Sequence, residues 1–189
     1  MSTFVYIKNF VKDRDIASIT PTSSYGVRKV CSRIDFSKDQ VIVEYGPATG
    51  VFTRYLLDRM TPRSKLVLIE RHAEFVSILR RSFADDRLRI YRDSAECVKQ
   101  IVADACPEGA NYILSGIPFS FFEDDVRRRI VEETYAVLQP GGKFLPYQTF
   151  FQQDRHLLDH LSAVFPNVRH RYCLRNLPPM RIYEATKGS

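Results

Sequence analysis

Glu44 heads the run Glu44-Tyr45-Gly46-Pro47-Ala48-Thr49-Gly50-Val51-Phe52-Thr53, in which small residues recur at every second position. Gly46 permits a tight turn, Ala48 lets a ligand approach the backbone, and Gly50 lets a following helix pack closely on a sheet. A loop of this kind can cradle a pyrophosphate at a helix N-terminus. The acid points elsewhere, because a carboxylate at Glu44 repels phosphate and favours a cationic ligand. Glu70 follows at roughly the spacing at which an acid accepts the two hydroxyls of a ribose. Asp93-Ser94-Ala95 supplies a third acid, flanked by small residues. A solvated acid at one strand end is ordinary; an acid at three successive strand ends describes a site.

Those positions become meaningful when the elements are drawn. Five apolar, β-rich segments are predicted at Val41–Tyr45, Leu66–Glu70, Leu88–Tyr91, Tyr112–Ser115 and Lys143–Thr149. Helical patterns separate them at 51–60, 73–83, 94–104 and 124–138, with Pro140-Gly141-Gly142 as a helix-ending turn before the fifth strand. A helix at about 154–164 precedes two strands near Val168–Cys173 and Met180–Glu184, joined by a Pro-rich turn. A first helix covers 2–13 and another starts near Ser23. Strands alternating with helices predict an α/β fold with a seven-stranded, mostly parallel sheet, an antiparallel C-terminal hairpin and helices on both faces. In open sheets of this type ligands bind at the carboxyl ends of the strands, where the three acids fall.

The 189 residues suit one core, with residues 1–22 as an N-terminal helix and connector and 23–189 as the main domain. No apolar run approaches a membrane span of ~18 residues, and no signal peptide is visible. Cys31, Cys97, Cys106 and Cys173 form no metal-ligand spacing and read as reduced thiols of a cytosolic protein. His156 and His160 share a helical spacing but have no evident third ligand, so no metal is expected. Arg127-Arg128-Arg129 reads as a solvated helix face. The net charge of +6 favours an anionic partner, either nucleic acid or membrane.

The run E-x-G-x-A-x-G at Glu44–Gly50 resembles motif I of class I methyltransferases, which have a Rossmann-like fold. That resemblance implies S-adenosylmethionine as cofactor and S-adenosylhomocysteine as product. It places the cofactor against Glu44, Gly46, Ala48, Gly50, Thr53, Glu70, Arg71, Asp93, Ser94, Ala95 and Ser115, with Asp93 taking the adenine amino group. Leu114-Ser115-Gly116-Ile117-Pro118-Phe119 is similar to the N-x-P-[FYW] loop of methyltransferases acting on amino groups of nucleobases, but Gly116 takes the Asn slot.

With Ile19-Thr20-Pro21-Thr22-Ser23-Ser24 and Leu174-Arg175-Asn176-Leu177-Pro178-Pro179, these segments resemble bacterial phospholipid N-methyltransferases, which convert phosphatidylethanolamine to phosphatidylcholine. The Phe119-Ser120-Phe121-Phe122 run departs from relatives that carry smaller aliphatic residues. The resemblance implies an ethanolamine phospholipid as substrate, with Tyr25, Ser115, Gly116 and Tyr147 at the reacting centre. Tyr25, Ile117, Pro118, Phe119, Tyr147 and Arg175 would bind the headgroup, through aromatic faces for the methylated amine and Arg175 for the phosphate. An alkylammonium must lose its proton before it can attack; Tyr25, Tyr147 and the lipid phosphate are candidate acceptors.

Within 2–13, Phe4, Tyr6, Ile7, Phe10 and Val11 share one side of the helix, opposite Lys8 and Lys12. An interfacial helix on the inner face of the cell membrane is expected, and the other reading is a helix packed on its own domain. The expected partner is an anionic membrane surface, with no nucleic acid and no obligate protein partner. Two alternatives are an RNA adenine-N6 methyltransferase and a non-catalytic module on the same fold.

Overall fold

A computed structural model describes residues 22–149 and 155–189. The predicted helix over 2–13, with Phe4, Ile7, Lys8, Phe10, Val11 and Lys12, lies outside the described residues. The chain begins with α1 (Ser24–Cys31), β1 (Val41–Tyr45), α2 (Val51–Leu57), β2 (Lys65–Ile69), α3 (Ala73–Ser82) and β3 (Leu88–Tyr91). It continues through α4 (Val98–Ala105), β4 (Ala110–Ser115), α5 (Asp124–Val137), β5 (Leu138–Thr149), α6 (Arg155–Val164), β6 (Asn167–Cys173) and β7 (Met180–Thr186). Among the described residues no helix is long and apolar enough to cross a membrane.

The seven strands form one sheet in the order β3-β2-β1-β4-β5-β7-β6. β1 to β5 pair in parallel, while β7 runs antiparallel to both β5 and β6. This is the Rossmann-like arrangement expected of the alternating pattern. Every residue of β1 is buried, because that strand has a covered sheet face on each side. One core layer joins Val43, Tyr45 and Ile113 to Val98, Ile101, Ile130 and Leu161, from α4, α5 and α6. The other joins Ile42, Leu68 and Leu114 to Val30, Phe52, Leu56 and Leu79, from α1, α2 and α3. The chain therefore changes sheet face after β3, and the strand order reverses between β1 and β4. That reversal opens a crevice above the carboxyl ends of these two strands.

Some boundaries differ from expectation. The turn Pro140-Gly141-Gly142 does not precede β5 but lies inside it: pairing passes from Ala110↔Leu138 to Tyr112↔Lys143, so the extra residues bulge out of the ladder. Gly141 at φ +74° supplies the left-handed backbone that this excursion needs. The helix expected over 94–104 is split into a single 3₁₀ turn, Ala95–Cys97, followed by α4. Ser94 accounts for the first part, since its side chain accepts from the Glu96 N–H and starts the turn one residue after the strand-end acid.

Candidate active site

The glycine loop leaves β1 at the crevice. Gly50 has φ +80° and begins α2, and a Cβ there would run into the Phe83 ring, so only glycine meets both demands. Ala48 is held at φ +50°, a conformation that alanine rarely takes. Its N–H donates to Glu70 Oε2 at 3.2 Å, and Glu70 Oε1 accepts from the His72 N–H at 2.9 Å. Glu70 thus ties the loop after β1 to the loop after β2. Its carboxyl is 4% exposed, and burial raises its pKa, with the two backbone donors opposing the shift.

Around this clamp opens a pocket of about 820 Å³, mouth included. Gly46, Ala48, Glu70, Arg71, Asp93, Ser94 and Ala95 line it, as do Gly116, Ile117 and Pro118. Residues far apart in the chain are therefore brought together as the strand-end pattern requires. Asp93 is exposed, lines the pocket and accepts from the Ser94 N–H at 2.7 Å. The sequence reading missed His72, Phe75, Phe121 and Phe122, which also line the pocket. His72 caps α3 and packs edge-on against Phe75. Its position two residues after a strand-end acid was the signal available. Phe121 and Phe122 stand in the aromatic run that marked a departure from the family.

Two expected cofactor residues lie behind the loop. Glu44 is 2% exposed and accepts a 2.8 Å hydrogen bond from Thr53 Oγ1. Neither residue lines the pocket, and nor do two others expected to, Gly50 and Ser115. Burial pushes the Glu44 carboxyl up to about 8, with a smaller push from Glu70 and an opposing pull from Thr53. At neutral pH the carboxyl is mostly protonated, so its effect on ligand choice depends on the ligand drawing its proton away. Ser115, at the end of β4, keeps a fully buried hydroxyl oxygen with no hydrogen-bond partner among the described residues. A buried carboxyl able to ionise beside a cation, an unpartnered hydroxyl and a backbone cradle suit a ligand that carries an ammonium and a nucleoside.

The acceptor side is built around Gly116. A Cβ on Gly116 would overlap the Tyr147 hydroxyl and stand 2.9 Å from Tyr147 Cζ. Tyr147 is fixed in turn by stacking on Phe52, with ring centroids 4.6 Å apart. The slot left by the missing Asn side chain is therefore taken by a tyrosine hydroxyl from β5. Burial, then the charges of Glu44 and Cys31, raise the Tyr147 pKa well above its ordinary value, so the hydroxyl stays neutral. As a neutral phenol, Tyr147 can donate or accept a hydrogen bond there.

Tyr25, on α1, is half-buried with the Arg175 guanidinium 5.5 Å from its ring centroid. Phe119 is not at the mouth: it is fully buried, edge-on to Phe122 and Phe144, because the 3₁₀ turn Phe119–Phe121 rotates it into the core. The Arg127-Arg128-Arg129 run is only partly a solvated face. Arg128 and Arg129 pair with Glu132 and Glu96, whereas the Arg127 side chain is 13% exposed beside Asp124. His160 Nε2 lies 3.0 Å from Asp124 of α5.

The model of a methyltransferase domain matches residues 42–142. An ornithine lipid N-methyltransferase from Singulisphaera acidiphila is 29% identical, and the match covers 95% of this chain and 93% of that protein. A ribosomal RNA small subunit methyltransferase A from Mycoplasma capricolum is 32% identical over 85 residues, 45% of this chain and 27% of the relative. Among solved structures, a precorrin-6y C5,15-methyltransferase from Geobacter metallireducens superposes with a TM-score of 0.69 at 13% identity, covering 90% of this chain and 94% of that one. Fold, strand-end acids and family match agree: the chain belongs to the methyltransferase domain family and is a class I S-adenosylmethionine-dependent methyltransferase.

Proposed function

We propose that this enzyme N-methylates the amine of a lipid headgroup, with the ethanolamine of a phospholipid as the acceptor. The observation that carries the reading is the Tyr147 hydroxyl seated against Gly116, where a nucleobase-reading Asn would otherwise project. A full-length relative named for N-methylation of a lipid supports the same acceptor class. That relative also favours a second headgroup, ornithine lipid, which has an amine but no phosphate.

S-adenosylmethionine, when bound, supplies a sulfonium methyl group open to attack by a nitrogen lone pair. Glu70 would accept from the ribose hydroxyls while its backbone donors hold the loop in place, and Asp93 would take the adenine amino group. Gly46 and Gly116 let the backbone approach, and Ser115 offers its free hydroxyl. On the acceptor side, the nitrogen must shed one proton before it can bond to carbon. Apolar surroundings lower an ammonium's pKa, and the neutral Tyr147 hydroxyl can then orient the free amine. The lipid phosphate is the acceptor for that proton, since Glu44 is mostly protonated at neutral pH and does not line the pocket. Tyr25 and Arg175, which contact each other but do not line the pocket, would take the headgroup, where an aromatic face suits a methylated ammonium and a guanidinium suits phosphate.

Glu70→Ala is expected to weaken S-adenosylmethionine binding by ~1–3 kcal/mol, the range for hydrogen bonds to a charged group. Calorimetry on Glu70→Ala and Asp93→Ala checks this; unchanged affinity in both removes the placement. Arg175→Ala should impair methylation of phosphatidylethanolamine and spare both cofactor affinity and any ornithine lipid activity, since only the first headgroup has a phosphate to grip.

The acceptor is tested by incubating the protein with methyl-labelled cofactor and, separately, vesicles containing phosphatidylethanolamine, vesicles containing ornithine lipid, and an RNA oligonucleotide. Label in phosphatidylethanolamine supports the reading. Label in ornithine lipid alone moves the headgroup, and label in RNA without lipid product overturns the proposal.

A further inference from the structure

Two leucines stand out on the turn between β6 and β7. Leu174 is 70% exposed and Leu177 84% exposed, within the six residues that join the strands. Single exposed leucines are commonplace, but this pair is held outward by a fixed frame. Asn176, between them, is 3% exposed; its Oδ1 accepts from the Ser23 N–H at 2.8 Å and its Nδ2 donates to the Pro178 carbonyl at 2.8 Å. Cys173 and Met180 at the two strand ends are buried in the core. The turn is therefore bolted to the start of α1, and the leucines gain little burial from the described residues.

Beneath the turn, α1 and β6 carry a basic belt. Lys29, Arg33, Arg169 and Arg171 share one shallow pocket with a single acid, Glu184. That acid is engaged by Arg33 at 3.1 Å and Lys143 at 2.8 Å. Among the described residues no salt bridge engages Lys29 or Arg169. Arg171 and Arg169 precede Leu174 by about 10 and 17 Å of strand.

We propose that this turn and belt form an interfacial anchor for an anionic bilayer: Leu174 and Leu177 enter the acyl boundary, and Lys29, Arg169 and Arg171 face the lipid phosphates. Interfacial apolar side chains sit ~5–10 Å into the headgroup–acyl boundary. An arginine one short strand segment higher then falls at phosphate depth. Charge complementarity selects an anionic lipid surface, and the rigid turn is ordered before it docks, which removes an entropic cost of binding. Arg175 lies in the turn and Tyr25 packs against it, so docking there brings the two residues proposed to take the headgroup to the membrane. This consequence rests on the lipid reading above; the docking itself does not.

The test uses the full chain and sedimentation with vesicles of phosphatidylglycerol and phosphatidylcholine in equal parts, beside vesicles of phosphatidylcholine alone. Leu174→Asp with Leu177→Asp should lower partitioning at least tenfold, while melting temperature and cofactor affinity stay at wild-type values. Arg169→Gln with Arg171→Gln should lower partitioning on the anionic vesicles by about fivefold per charge, and little on phosphatidylcholine. Wild-type partitioning by the leucine variant, or no partitioning by the wild type, overturns the proposal. So does a lowered melting temperature with unchanged partitioning, which would mean that the leucines serve stability and not docking. Loss of vesicle binding in a protein that methylates no lipid leaves the anchor standing and removes the substrate reading. Equal binding and equal methylation of bilayer phosphatidylethanolamine by wild type and variants does the reverse.

Discussion

Gly116→Asn is expected to abolish methyl transfer and lower stability by ~1–3 kcal/mol, the usual cost of forcing atoms into a packed site. The first added atom already meets Tyr147, whose ring is pressed against Phe52 and cannot swing aside freely. A nucleobase-type Asn therefore cannot be restored at this loop by one substitution. The mechanism is separable from general damage by a double-mutant cycle with Gly116→Ala and Tyr147→Ala. Tyr147→Ala alone removes a largely buried ring and should cost ~3–5 kcal/mol. With the ring gone, Gly116→Ala should add almost nothing, so the pair is strongly non-additive. Additive losses in urea denaturation would show that the two positions do not compete for the same space. Tyr147→Phe keeps the stack and removes only the hydroxyl. It should leave stability and cofactor affinity near wild type while reducing turnover, as expected of a group that orients the acceptor.

Stability of the cofactor-free protein should fall as pH rises from about 5 to about 8, and Glu44→Gln should remove most of that slope. The sign follows from proton binding. Glu44 has an ordinary pKa of 4.5 when unfolded and about 8 when folded. Between these values the native state holds a proton that the unfolded chain has released, so each pH unit costs the native state up to about 1.4 kcal/mol. The contribution is complete below the unfolded value and lost as pH rises through the folded one. Gln keeps the size and can accept from Thr53 without titrating. Glu70, also raised by burial, leaves a residual slope in the variant. Denaturation midpoints across the pH range check this, and an unchanged slope in Glu44→Gln assigns the dependence to other groups. A cationic ligand in the pocket that draws the proton off Glu44 from across the loop should also release it on binding, visible as a buffer-dependent enthalpy that Glu44→Gln loses.

Much of the molecule is legible in the chain because it is encoded locally. Alternation of apolar strands with amphipathic helices specifies a doubly wound sheet, and the strand ends coincide with the acids Glu44, Glu70 and Asp93. Small residues at Gly46, Ala48 and Gly50 mark the loop because their backbone demands are intrinsic to the residue types. Other features depend on which distant residue arrives opposite. The pattern marks Tyr147 as a strand residue, yet only the pairing of β4 with β5 brings its hydroxyl over Gly116. Glu44 carries the same carboxyl in any context, but burial between α2 and β1 moves its titration to near neutrality and hides it from the pocket. Phe119 looked like a mouth residue until a single 3₁₀ turn rotated it inward and left Phe121 and Phe122 on the pocket wall. Leu174 and Leu177 enter the sequence reading only as part of a family-like segment; the hydrogen bonds of Asn176 decide that the turn is anchored and holds them out. Hydrophobic period reports which residues share a face; only the closed tertiary structure decides what that face meets, and with it the burial, charge state and exposure on which the chemistry depends.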